Sequence, residues 1–141
     1  SKYHDYNHQV ATPLGETSNN YDFVPGDYNR DGFVDIIAIK KSSTGSGKTE
    51  VHILDGKNEY KSFLLHKATV LHETGNEFDF ISGDYNGDGF VDIVGIKKYS
   101  TSSKNIEVHI LNGSTNYTTF LYQNRTILNM DTSGIFQFVS P

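Results

Sequence analysis

Two nine-residue stretches concentrate oxygen-bearing side chains at a fixed spacing. The first is Asp27-Tyr28-Asn29-Arg30-Asp31-Gly32-Phe33-Val34-Asp35, and the second is Asp84-Tyr85-Asn86-Gly87-Asp88-Gly89-Phe90-Val91-Asp92. Both read D-x-N-x-D-G-x-x-D. Side chains at positions 1, 3, 5 and 9 converge only where the backbone curls sharply, which glycine at position 6 permits. Position 7 adds a backbone carbonyl, from Phe33 or Phe90. Hard oxygen donors in that number suit Ca²⁺, which takes about 6–8 of them, better than zinc or a softer metal. An EF-hand would need a bidentate Glu at position 12 and flanking helices; here position 12 is Ala38 or Gly95. The competing reading is a pair of Asx-rich turns without metal. A turn needs one or two such residues, not three aspartates in nine positions, twice. Uncompensated, those carboxylates would repel one another, and two bound Ca²⁺ would move the formal charge from −5 to −1.

The elements that must position these loops come in duplicate. From Asp27 to Asp84 is a shift of 57 positions, and the same shift carries Ile39-Lys40-Lys41 onto Ile96-Lys97-Lys98 and Glu50-Val51-His52-Ile53-Leu54 onto Glu107-Val108-His109-Ile110-Leu111. It also relates Tyr3, Tyr60 and Tyr117, and Thr12, Thr69 and Thr126. Within one 141-residue domain the repeat units are approximately 21–77 and 78–134, with partial units at both termini. The closing Phe136-Gln137-Phe138-Val139-Ser140 resembles Phe78-Asp79-Phe80-Ile81-Ser82.

Each unit reads as four strands. The first covers Tyr21–Val24 or Phe78–Ile81, and the second, apolar on both faces, covers Phe33–Ile39 or Phe90–Ile96. The third is Glu50–Leu54 or Glu107–Leu111, and the fourth is Ser62–Leu65 or Thr119–Tyr122. Asp55-Gly56 and Asn112-Gly113 are turn signals between the last two. With the terminal fragments this makes ten strands. Turn formers between aromatic and β-branched runs, and no sustained helical periodicity, place the chain in the all-β class.

The unit resembles the FG-GAP or VCBS-type repeat known from integrin α-chain heads and from microbial and fungal secreted proteins and lectins. The resemblance covers nearly the whole chain, and its specific part is F-x-x-G-D-Y-N-x-D-G-x-x-D-I followed by I-K-K and E-V-H-I-L. It implies structural Ca²⁺ in both loops, held by Asp27, Asn29, Asp31 and Asp35 and by Asp84, Asn86, Asp88 and Asp92, and a propeller-blade fold for each four-strand unit. It also implies an extracellular or secreted setting. Propellers have about 4–8 blades, and two complete units fall short of that. Three arrangements follow: a piece of a longer protein, copies associating into a ring as a homo-oligomer, or a single pseudo-twofold ten-strand β-sandwich.

The remaining signals narrow the function. A net charge of −5 does not suit the phosphate-neutralising surface of a nucleic-acid binder. The absence of cysteine excludes thiol chemistry and Cys-ligated zinc. No apolar run approaches the ~20 residues of a membrane span, and no charged-then-apolar leader opens the chain. Gly45-Ser46-Gly47-Lys48-Thr49 imitates the end of a phosphate-binding loop, but a strand follows it where that motif needs a helix. Lys40-Lys41 and Lys97-Lys98 read as solvated strand ends. No Ser–His–Asp or G-x-S-x-G arrangement is visible, and coordination would occupy the concentrated carboxylates, so enzymatic activity is not expected. The expected function is a calcium-stabilised, lectin-like carbohydrate-binding protein acting on glycans or glycoproteins; the alternative is a protein–protein adhesion or scaffolding module. Tyr28 and Tyr85, either exposed for a sugar to stack on or facing the core, are the first ligand candidates, with His52 and His109 as a second pair.

Overall fold

A computed structural model describes residues 10–129. The expected terminal strands, with Tyr3 and Phe136–Ser140, lie outside the described residues. The described part forms eight strands in two four-stranded antiparallel sheets. The first sheet holds β1 (Tyr21–Gly26), β2 (Asp35–Lys40), β3 (Lys48–Leu54) and β4 (Phe63–His72) in chain order. The second repeats this with β5 (Phe78–Gly83), β6 (Asp92–Lys97), β7 (Asn105–Leu111) and β8 (Phe120–Asn129). These are two meanders of propeller-blade type, each its own sheet.

The strands differ from the sequence reading at several points, and β1, β3, β5 and β7 each run about two residues longer than expected. β2 and β6 start at Asp35 and Asp92, later than Phe33 and Phe90. The Phe33 N–H is already taken by the Asp31 carboxylate at 3.0 Å, so the strand ladder starts only where Asp35 comes opposite Gly26. β4 and β8 are ten residues long, because register shifts against β3 and β7 carry the pairing through polar stretches that show no alternation. Asp55 and Asn112 do not close two-residue hairpins. Each caps a 3₁₀ turn, Gly56–Asn58 or Gly113–Thr115, followed by two residues in left-handed conformation.

The core lies between the two sheets. Val24, Ile37, Ile39, Val51 and Ile53 of the first sheet are buried in one cluster with Leu71 and with Phe78, Phe80, Ile93, Leu111 and Tyr117. Alternation sets this face: on β3, Val51 and Ile53 point inward while Glu50 and His52 lie on the opposite side. Ala38 is also fully buried, in keeping with a second strand apolar on both faces.

Lys41 and Lys98 are a correction. They are buried and sit 3.3 Å from Asp22 and Asp79, the acids of the neighbouring first strands. A lysine that desolvated persists because an opposite charge stands beside it.

Candidate functional site

Each acidic loop bridges the first two strands of its sheet, held at its mouth by the Gly26–Asp35 or Gly83–Asp92 pair. In loop two, Asp84 accepts the Gly87 N–H at 2.9 Å, the Asp88 N–H at 3.1 Å and the Gly89 N–H at 2.8 Å, which curls the chain around its carboxylate. Gly87 and Gly89 take φ of 74° and 88°, where a side chain would be strained. Asp92 is fully buried and accepts the Tyr85 N–H at 2.9 Å and the Gly113 N–H at 2.8 Å. The latter bond ties the loop to the 3₁₀ turn before β8. One oxygen from each of Asp84, Asp88 and Asp92 lies within 4.8 Å of the others, so the trio could hold a metal ion.

Loop one repeats these bonds except at position 4, where the Arg30 N–H meets the Asp27 backbone carbonyl at 3.4 Å. Asp27 accepts from Asp31 at 3.1 Å and Gly32 at 2.8 Å, and Asp35 accepts from Tyr28 and Gly56 at 2.8 Å each. Among the described residues, however, only the loop-two trio closes to that spacing. The loops differ at position 4, where Arg30 adopts φ 60° in place of glycine. Its guanidinium lies 4.1 Å from the Phe90 ring centroid, so loop one is pinned onto loop two.

The buried aspartates of the two loops share one electrostatic setting. Burial pushes the Asp35 and Asp92 carboxyls above the usual carboxylate value. Bonds from Tyr28 and Gly56, or Tyr85 and Gly113, only partly oppose this, and the neighbouring acids Asp31 and Asp55, or Asp88 and Asp84, add to it. A hard dication would remove that repulsion, and an all-oxygen donor set is of the right chemistry for it. Asn29 and Asn86, with the Phe33 and Phe90 carbonyls, complete the donors available along the two loops.

The tyrosines of the two loops part company. The Tyr28 ring lies 6.3 Å from Tyr117, and its hydroxyl donates to the Asn116 side chain in the other unit. Tyr85 is 55% exposed, with Tyr122 at 6.0 Å.

His52 and His109 each enter a polar cleft. In unit two, Ser103, Glu107, His109, Gln123, Asn124 and Arg125 line about 270 Å³. The Gln123 amide donates to His109 Nδ1 at 3.0 Å, which leaves the Nε2–H to face Glu107 Oε1 at 3.3 Å. In unit one, Ser46, Glu50, His52, His66, Lys67 and Ala68 line about 280 Å³. There His52 Nδ1 meets His66 Nδ1 at 2.8 Å and Nε2 meets Glu50 at 3.3 Å. Burial holds both histidines below their ordinary pKa, and the adjacent glutamates offset this only in part. His66 and Gln123 were not singled out from sequence. The 57-residue shift relates them, yet only the pairing of the third and fourth strands brings them to the histidines.

The stretch Gly45–Thr49 is the loop between β2 and β3 and the start of β3, with no helix after it. No helix among the described residues is long and apolar enough to cross a membrane.

Residues 27–95 match the family model of the FG-GAP-like repeat, from the first aspartate of loop one to the middle of β6. A repeat of this kind points to a protein-interaction or adhesion module, occurs mostly in extracellular proteins and often binds calcium. No curated protein and no solved structure matches the chain.

Proposed function

We propose that this chain is a non-catalytic, extracellular carbohydrate-recognition module, lectin-like, whose loops are held by two calcium ions. The duplicated polar cleft carries the reading. Two clefts of nearly equal size stand at equivalent positions, each with a Ser, a Glu and a His that already hydrogen-bond one another. Planar carboxylate, amide, imidazole and guanidinium groups in one shallow cleft suit the paired hydroxyls of a sugar. An aromatic ring stands by each histidine, Phe63 at 6.4 Å and Phe120 at 6.3 Å. Calcium acts away from the clefts, fixing the strand ends and not touching the sugar. Two weak sites on one chain gain by multivalency.

The non-catalytic reading rests on the acids. Asp35 and Asp92 are occupied by backbone donors, and Glu50 and Glu107 are bonded to Ser46 and Ser103.

The test is a glycan array followed by calorimetry on the sugars retained. His109→Ala and Gln123→Ala should abolish binding to unit two while the EDTA-sensitive melt persists. If no glycan binds the wild-type chain, the protein-adhesion reading, favoured by the repeat family itself, takes its place.

A further inference from the structure

The two polar clefts are copies of one another in which one exchanged side chain changes the metal chemistry. A shift of 57 residues carries Ser46, Glu50 and His52 onto Ser103, Glu107 and His109, each the same residue type, but carries His66 onto Gln123. Aromatic neighbours repeat too. Tyr21 and Phe63 stand 6.5 and 6.4 Å from His52, and Phe78 and Phe120 stand 5.8 and 6.3 Å from His109. Unit one therefore sets two imidazoles side by side where unit two sets an imidazole beside an amide.

The pairing of β3 with β4 makes this contact. His52 and His66 are direct partners in the antiparallel register, which places their Cβ atoms about 5 Å apart on one face of the sheet. Their Nδ1 atoms lie 2.8 Å apart, with the ring planes at 72°. The other nitrogen of His52, Nε2, faces Glu50 Oε1 at 3.3 Å, and Glu50 Oε2 accepts from Ser46 Oγ at 2.7 Å. A proton held on Nε2 by that carboxylate leaves Nδ1 of His52 with its lone pair, so the bond between the rings uses the proton on His66 Nδ1. A carboxylate behind a histidine is the arrangement that fixes a metal-binding tautomer and makes the ring a stronger donor. The Phe63 ring, 3.9 Å from that of His66, backs the second histidine. His66 itself is exposed, so the pair is open to solvent.

We infer that His52 and His66 chelate a divalent transition-metal ion through their Nδ1 atoms, at a site separate from the oxygen-lined loops. Imidazole suits copper, nickel and zinc, whereas Ca²⁺ takes oxygen. At a metal–nitrogen length of about 2.0 Å, nitrogens 2.8 Å apart subtend about 90°. That is the angle between neighbouring ligands in a tetragonal site, so Cu²⁺ and Ni²⁺ fit the pair better than tetrahedral Zn²⁺. Each ring turns to aim its lone pair at an ion beside the contact, and the His66 ring proton moves to Nε2. Water fills the remaining positions. Glu50 offsets the added charge from behind His52, against Lys40 and against Lys67, which lines the cleft. Unit two, with Gln123 and Arg125 in place of His66 and Ala68, offers one imidazole and a fixed positive charge. Of the two clefts, only that of unit one is built for the ion. The inference stands apart from sugar recognition, since the ion needs no glycan.

Calorimetric titration of the full chain with Cu²⁺, and separately with Ni²⁺, in saturating Ca²⁺ tests this. The chain holds six histidines, so single variants identify the step. The wild-type chain should show a step that His52→Gln and His66→Gln each remove, and Glu50→Gln should weaken it about tenfold. His72→Gln, which changes a histidine lining neither cleft, should titrate as wild type. Gln123→His combined with Arg125→Ala copies unit one into unit two and should add a second step. Electron spin resonance of the copper form should lose one coordinated nitrogen in His66→Gln. Thermal melts check that each variant folds, and His66→Asn replaces His66→Gln if it does not. A titration unaltered by His66→Gln would overturn the inference. So would an equal loss in His72→Gln, or a unit-two double variant that gains no step.

Discussion

Tyr28 and Tyr117 face each other across the unit boundary at 6.3 Å, and Tyr28 also donates to Asn116 beside that ring. Tyr85, the copy of Tyr28, instead lies beside Tyr122 and is 55% exposed. Nine-residue surroundings that differ only at position 4 therefore give two different roles, and the neighbouring unit decides between them. The pairing holds the units together through a ring contact and one polar bond.

Removing the two hydroxyls separately exposes this difference. Tyr28→Phe loses the bond to Asn116 and should destabilise the fold by about 1 kcal/mol. Tyr85→Phe changes an exposed group and should stay within about 0.5 kcal/mol of wild type. Urea melts of the two variants decide it, and equal losses would mean that the boundary bond contributes nothing.

Calcium should bind the loops unequally. The loop-two acids already converge within 4.8 Å, whereas loop one must rearrange against the Arg30–Phe90 contact. Each site should add about 2.7 kcal/mol to stability at 100 times its dissociation constant. EDTA should lower the melting temperature, and Asp88→Ala should remove the tighter of two calorimetric steps while Asp31→Ala removes the weaker. An unchanged melt after verified metal removal would refute the assignment.

The loops were legible from sequence because their donors are close neighbours in the chain, at a spacing that chemistry recognises. The four-strand unit was legible because it occurs twice. What pairing brings together was not: His109 meets Gln123 only through a strand pair with a shifted register. Lys41 and Lys98 read as solvent-facing because nothing local in Lys-Lys points to Asp22 or Asp79. The fates of Tyr28 and Tyr85 could not be separated by any local pattern, since the loops share every ligand position and differ within the motif only at position 4.

The 3₁₀ turns approach the loops too closely for any side chain. A Cβ on Gly113 would stand 2.0 Å from the Val91 carbonyl oxygen, and one on Gly56 would stand 1.9 Å from that of Val34. Backbone must move to admit it, which would break the Gly113–Asp92 and Gly56–Asp35 bonds. Gly113→Ala and Gly56→Ala should each cost about 3 kcal/mol and weaken calcium binding in the adjacent loop. Gly45→Ala, with nothing within 4 Å of its added carbon, is the neutral control. Melts and calcium titrations of the three variants read both effects, and a Gly113→Ala chain that melts like Gly45→Ala would show that the turn yields.

Acid should weaken the fold through the two cleft histidines. Burial lowers the pKa of His52, with Glu50 opposing and His66 and Lys40 reinforcing; it lowers that of His109, with Glu107 opposing and Lys97 and His72 reinforcing. Below the ordinary histidine value of about 6.5, the unfolded chain binds protons that the folded chain refuses, so stability rises with pH there. The stabilisation is complete above that value and is lost as the pH falls through the lowered folded values. Glu50 and Glu107 also sit below their ordinary value: burial alone would raise them, but bonds from Ser46 and His52, or Ser103 and His109, outweigh it. Their contribution is lost lower still, below about 4.5. Asp35 and Asp92, raised by burial in the metal-free chain, act in the opposite sense at low pH. Melting in EDTA across the pH range, compared with a His52→Gln/His109→Gln double variant, isolates the histidines. The double variant should lose the decline that begins near pH 6.5 and keep the steeper one in stronger acid. Parallel profiles for the two chains would mean that the histidines titrate freely in the fold.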